Sequence, residues 1–254
     1  MTAQQEAALK AAALAARTIL ESSGETYRAE DTALRMCTAF VLEDAGIMAF
    51  PTGFVLSAGV GGRQESKVFR VQDRSIRLDR IDLVNTVSRE AAEGLVSPEE
   101  AFDRLNGIRA GKPAPFWQVN LAYAFSAAFF SVMFGGRGTE FILSALIGSL
   151  VHILQHGLIR LHIPGQLRSF MLGLLAAFIA LAVLPLLKGV QEPVITGVIM
   201  PLLPGLAMTN AIRDTMRGDL ISGLARGAEA LVSAVLLSAG VAAALFIRGA
   251  LWTV

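Results

Sequence analysis

The amino-acid sequence predicts an α-helical polytopic membrane protein, with five transmembrane helices preceded by a small cytoplasmic α+β domain. Three observations lead there. Of 254 residues, 54% are hydrophobic and only 17% charged. The charges are segregated: residues 1–115 hold 14 Lys/Arg and 16 Asp/Glu, net −2, and the rest holds 8 and 5, net +3, which together give the overall +1. Beyond residue 115 the chain breaks into five apolar runs, each long enough at about 1.5 Å per residue to cross a hydrocarbon core of ~30 Å. The expected domains are therefore 1–113, soluble, and 114–254, membrane-spanning.

The soluble part opens with MTAQQEAALKAAALAARTIL. Glu6, Lys10 and Arg17 interrupt this stretch and no basic segment precedes an apolar core, so it reads as an amphipathic helix and not as a secretory signal. Helical periodicity runs from about Gln4 to Ser22, stops at Gly24, and resumes in YRAEDTALRMCTAFVLEDAG until Gly46. Each glycine is placed to let the chain leave a helix at positive φ. IMAFPTGFVLSAG and SKVFRVQ, rich in β-branched and aromatic residues and flanked by Gly and Pro, read as strands joined through GVGGR. Helices return at about Asp79–Ala92 and after Ser97, where Pro98 and Glu100 supply the first-turn proline and capping-box acid. The order is α-α-β-β-β-α-α.

Catalytic chemistry finds little purchase in this domain. The first histidine of the chain is His152, which excludes a Ser-His or Cys-His pair before it. Cys37 is the single cysteine and suits the apolar face of a helix, so it reads as a packed thiol. Gly59-Val60-Gly61-Gly62 lacks a following Gly-Lys-Ser/Thr and lies between strands, where a hairpin turn is the reading and phosphate binding the alternative. The run Glu25 to Asp31 at a helix start either binds something or answers the helix dipole.

The five expected spans are 116–134, 141–159, 169–187, 194–212 and 220–247, with Trp117, Tyr123 and Trp252 toward their ends. An amino terminus in the cytoplasm puts Arg104, Arg109, Lys112, Arg160, Arg168, Arg213 and Arg217 inside, against Arg137, Lys188 and Arg248 outside; seven against three favours that orientation. Polar groups within hydrocarbon need partners or water, so the informative residues are Asn120, His152, Gln155, His156, Thr209, Asn210, Arg226 and Glu229. His152 and His156 are one turn apart, a metal-capable spacing, yet no carboxylate or cysteine lies beside them in sequence. Interhelical hydrogen bonding or proton handling is the reading. Glu229, with Arg226 one turn before it, has the position of a proton carrier or of a fixed ion pair. Gly223 and Gly227 form a small-xxx-small ridge suited to helix packing.

The stretch MPLLPGLAMTNAIRD carries Pro201, Pro204 and Gly205 inside an apolar run. Each proline removes an intrahelical donor, so the helix is expected to break or kink there, and a break at mid-membrane offers free backbone groups to a small solute. Pro201, Pro204, Gly205, Thr209, Asn210 and Asn120 are thus the transport candidates.

GETYRAEDTALRM, FPTGFVLS, SIRLDRIDLVNTVSRE with SPEEAFDRLNGI, and PLLPGLAMTNAIRDTMRGDLISGLARGAEALV together resemble the threonine/serine exporter family, specifically its YjjP-like amino-terminal half. The resemblance runs along essentially the whole chain; Ala29 stands where valine is expected. It implies a multi-pass protein of the bacterial inner membrane that exports threonine and serine, or a dicarboxylate such as succinate, coupled to protons. It also implies a partner, a YjjB-like second five-span subunit, with homo-oligomers compatible. No cofactor, metal or nucleic acid is expected. The rival readings are a membrane-anchored sensor or regulator acting through the soluble domain, and a channel-like or scaffolding assembly.

Overall fold

The structure, a computed structural model, describes residues 3–60, 63–187 and 189–252, with the side chains of residues 3, 60, 63, 186, 187, 251 and 252 not among them. Gly61 and Gly62 of the expected turn, Lys188 of the charge count and the Trp252 side chain lie outside the described residues. The chain forms two compact units: Met1–Pro113 with Leu206–Gly227, and Ala114–Gly205 with Ala228–Val254.

In the first unit, α1 (Ala3–Glu21) packs against α2 (Thr26–Ala39), α3 (Leu78–Ala92), α4 (Pro98–Ala110) and the second strand. Ala8, Leu9, the run Ala11 to Ala16, Ile19 and Leu20 are all buried, so α1 is enclosed nearly all round and is not the one-faced amphipathic helix the sequence suggested. Its alanines are what let so many neighbours approach. Strands β1 (Glu43–Phe50), β2 (Gly53–Val60) and β3 (Arg63–Arg70) make an antiparallel meander in the order β1-β2-β3. Phe54 and Phe69 pair across β2 and β3 with ring centroids 4.7 Å apart.

Two local expectations are corrected. The second helix ends at Ala39 and not at Gly46, because Val41 takes φ +56° and the chain enters β1 through a bulge between Glu43 and Gly46. At the end of α1 it is Ser23, with φ +60°, that turns the chain left-handed. Gly24 is required for another reason: a Cβ there would lie 2.5 Å from Ile19 Cγ2. At α4 the cap is as expected, with Ser97 Oγ accepting from the Glu100 amide at 3.2 Å.

The second unit contains α5 (Phe116–Met133), α6 (Gly138–Arg160), α7 (Gly165–Leu187), α8 (Gln191–Ile199) and the greater part of α10 (Leu220–Trp252). Its core is Ala127, Leu143, Ile147, Val151, Ala176, Ala180, Leu181, Val194, Val198 and Ala244, while Phe125, Phe129, Leu146 and Phe178 face outward. Backbones approach closely at glycines: a Cβ on Gly173 would lie 2.2 Å from the Leu237 carbonyl, and one on Gly240 2.1 Å from that of Phe170. Glu140 ties the start of α6 to the start of α8, its two oxygens accepting from the Arg137 amide at 2.8 Å and the Val190 amide at 2.9 Å.

Among the described residues four helices are long and apolar enough to cross a membrane, Phe116–Met133, Gly138–Arg160, Gly165–Pro185 and Leu220–Ala250. The run 194–212 is interrupted where Pro201 and Pro204 predict a break. Helix α8 passes into a 3-10 turn at Met200–Leu202, Leu203 is extended at φ −66° and ψ 140°, and a new helix, α9, occupies Gly205–Met216. Counting the two pieces as one span gives five.

Candidate functional site

Helix α9 presents Asn210, Arg213 and Asp214 on one face by their i, i+3, i+4 spacing. All three reach the corner between α1 and α2. Asn210 Nδ2 donates to the Ser23 carbonyl at 2.9 Å, and Arg213 Nη1 donates to Glu25 at 2.7 Å. Asp214 is fully buried and accepts from the Thr26 amide at 3.1 Å and the Thr26 hydroxyl at 3.2 Å. It therefore caps α2 from a distant part of the chain, since Glu25 at the N-cap position gives no side-chain capping bond. Arg226, in the second turn of α10 and 4% exposed, places Nε 3.1 Å from Asp214 and donates through Nη2 to the Gly24 carbonyl at 2.7 Å.

The corner thus has its carbonyls and its helix-start amide satisfied by residues nearly two hundred positions away. Glu25 is shared between Arg28 at 3.0 Å and Arg213 at 2.7 Å. Burial disfavours its charge, but its own amide and the two guanidiniums outweigh that and hold its carboxyl below the ordinary range. Arg217 lies over the Tyr27 ring, 4.7 Å from its centroid. A cavity of about 300 Å³ adjoins the corner, lined by Glu25, Arg28, Asp82, Asn85, Asn210 and Arg213 among others. Asn210 is 2% exposed and its Oδ1 has no hydrogen-bond partner among the described residues.

A second polar cluster joins α5 to α6. Asn120 donates to the Ser149 carbonyl at 2.9 Å, accepts from the Ser149 hydroxyl at 2.7 Å, and its Nδ2 is 3.2 Å from His152 Nδ1. The His152 ring is stacked by Phe116 and Tyr123, at 4.9 and 4.7 Å, and His156 meets Phe116 edge-on at 5.2 Å. No metal-capable group of three His, Cys, Asp or Glu occurs among the described residues. The geometry is that of an interhelical hydrogen-bonded clasp.

The other sequence candidates are placed as follows. Pro201 lies in the 3-10 turn and Pro204 just before α9, with Gly205 at the α9 start; Thr209 is exposed. Arg226 is directed to Asp214 and Gly24, and Glu229, in the next turn of α10, is exposed. Gly223 is tightly packed, since a Cβ there would lie 2.1 Å from Thr215 Oγ1, whereas at Gly227 the nearest atom is Ala211 Cβ at an ordinary 3.7 Å. Asp214, which the sequence reading left out, is the residue on which the first cluster turns. Two signals pointed to it: the polar triplet at helical spacing, and Arg226, a cation within an apolar helix, for which a carboxylate is the natural partner.

Long apolar helices, one of them interrupted by proline, define the class: a polytopic membrane protein. Residues 10–248 match the family model described as "Putative threonine/serine exporter" (ThrE), and the chain belongs to that family. Membership implies a membrane exporter of threonine or serine, in a family of transporters and not of enzymes. Comparison with curated proteins and with solved structures returns no match.

Proposed function

We propose that the chain is one half of a proton-coupled secondary exporter of the bacterial inner membrane, with its amino terminus in the cytoplasm. Its cargo is a small polar metabolite, threonine or serine or a dicarboxylate such as succinate. Its partner is a YjjB-like second membrane subunit, its own copies, or both. Five crossings place the two ends of a repeat on opposite sides, so a second, inverted half is what completes two alternating faces.

The observation that carries this reading is the interruption between Met200 and Gly205. Pro201 and Pro204 have no amide hydrogen, Leu203 is extended, and the Gly205 amide turns back to the Leu203 carbonyl at 2.8 Å, so the regular helical ladder is broken between α8 and α9. Such a break within an apolar segment supports solute binding through backbone groups, which costs the protein nothing in side-chain charge. The test is Pro204→Ala with Gly205→Ala. A Cβ at Gly205 meets nothing within 4 Å, so the double variant introduces no clash there and reports on helix continuity. Transport should be lost while insertion is retained, and unchanged transport would return the segment to a structural kink. Glu229→Gln, which keeps shape and removes titration, should uncouple efflux from the pH gradient; pH-driven efflux equal to the parent over roughly pH 5–8 would assign that glutamate a structural role.

A further inference from the structure

The first unit carries an arginine-lined pocket that the transport reading leaves unused. Its volume is about 280 Å³, and its walls include Arg17 and Glu21 of α1, Arg70 at the end of β3, Asp73, Arg74 and Ser75 of the following loop, Arg80 of α3 and Arg109 of α4. Leaving aside Arg74, which has a partner of its own, the guanidiniums of Arg17, Arg70, Arg80 and Arg109 face two carboxylates there, a formal excess of two positive charges. Elsewhere the charge of residues 1–115 is balanced toward the negative, so the excess is local and does not follow from composition.

The two carboxylates do not neutralise it. Glu21 is already saturated: Arg17 Nε donates to it at 2.8 Å, and Arg109 donates through Nε at 2.7 Å and Nη2 at 2.9 Å. Burial raises and these two arginines lower its carboxyl, with the lowering dominant, so it stays ionised and committed to them. Asp73 is exposed. Arg80 donates through Nη2 to the Gly111 carbonyl at 2.9 Å, while its Nε is buried and has no acceptor among the described residues. A buried guanidinium N–H without an acceptor is costly, and converging guanidiniums repel one another, so both features call for an anion.

We propose that this pocket binds a phosphoryl group. Its planar, multiply donating side chains match the three or more oxygens of a phosphate better than they match a monovalent ion, since each guanidinium can engage two oxygens at once. The volume is ample for a phosphate and part of its ester. Two sources share this chemistry, a soluble phosphate compound and the phosphate of a lipid headgroup. The inference concerns the α+β unit and stands whether or not the chain exports amino acids.

The experiment uses the full chain purified in detergent and titrated with sodium phosphate against sodium chloride at matched ionic strength, with thermal unfolding and calorimetry as readouts. A parallel arm places it in nanodiscs of phosphatidylglycerol or of phosphatidylcholine and repeats the phosphate titration. Phosphate should raise the melting temperature where chloride does not, and Arg70→Gln with Arg80→Gln should weaken binding about tenfold or more. If lipid is the source, phosphatidylglycerol should stabilise the parent over phosphatidylcholine and blunt the phosphate titration, and the double variant should lose both effects. Because the double variant can unfold, Asp73→Asn gives an independent arm: removing the exposed carboxylate should tighten phosphate binding. Identical behaviour in phosphate and chloride together with indifference to lipid headgroup overturns the proposal, as does an Asp73→Asn protein with unaltered affinity.

Discussion

Truncating Asp214 to alanine should be among the most damaging single changes in the first unit. The carboxylate is fully buried and holds three groups at once, the Thr26 amide at 3.1 Å, the Thr26 hydroxyl at 3.2 Å and Arg226 Nε at 3.1 Å. Alanine removes the carboxylate beside a guanidinium that is 4% exposed. Removing one member of a buried pair typically costs ~3–5 kcal/mol, because the remaining charge stays desolvated. Loss of the cap on α2 adds about 1 kcal/mol. For a chain of this size each kcal/mol lowers the melting temperature by roughly 2–4 °C, so the full chain in detergent should melt about 10 °C lower or more. The second arm decides the cause. Asp214→Leu combined with Arg226→Met removes both charges at similar volume and should recover more than half of the loss, since a buried pair often breaks even against apolar replacements. An Asp214→Ala protein melting within about 2 °C of the parent, or a double variant no better than the single, would refute the interlock.

Two further outcomes are expected. Gly173→Ala and Gly240→Ala each force a Cβ to within 2.2 and 2.1 Å of a backbone carbonyl on the facing helix, so both should lower thermal stability sharply, whereas Gly227→Ala meets only a methyl at 3.7 Å and should gain up to about 1 kcal/mol from helix propensity. Melting of the three variants side by side checks this ordering. The second outcome is a pH dependence from Glu25, whose carboxyl is held below its ordinary value of 4.5 in the fold. A depressed acid contributes stability that is complete above the unfolded value and is lost as pH falls through the folded one. Stability should therefore decline below about pH 4.5, and the decline should be shallower in Glu25→Gln, as unfolding titrations at a series of pH values would reveal.

What the sequence made legible was whatever depends on local pattern. Apolar run length located α5, α6, α7 and α10, and the Ser97-Pro98 cap fixed the start of α4, because hydrophobic length and capping are properties of adjacent residues. The break at Pro201 and Pro204 was legible for the same reason. The end of α2 was not, since CTAFVLEDAG keeps a helical pattern while the pairing of β1 with β2 claims those residues for the sheet. The site was harder. Hydropathy placed Asn210 in a fourth span and sequence proximity set Arg226 beside Glu229, but neither signal reveals that the Asn210 amide reaches Ser23 or that Arg226 lies against Asp214. A pairing between residues 26 and 214 leaves no periodic trace. Only an unexplained buried charge hints at it.

Central to this account is that the chain supplies one half of an exporter. The most direct measurement is counter-flow of labelled threonine, serine and succinate in proteoliposomes containing the purified chain, with and without a co-purified second membrane subunit. The account predicts saturable counter-flow of at least one of these substrates only when both proteins are present, dissipated by a protonophore when a pH gradient drives it. Substrate movement by the chain alone at the rate of the pair would contradict the half-transporter claim, and no movement of any substrate by the reconstituted pair would contradict the export reading itself.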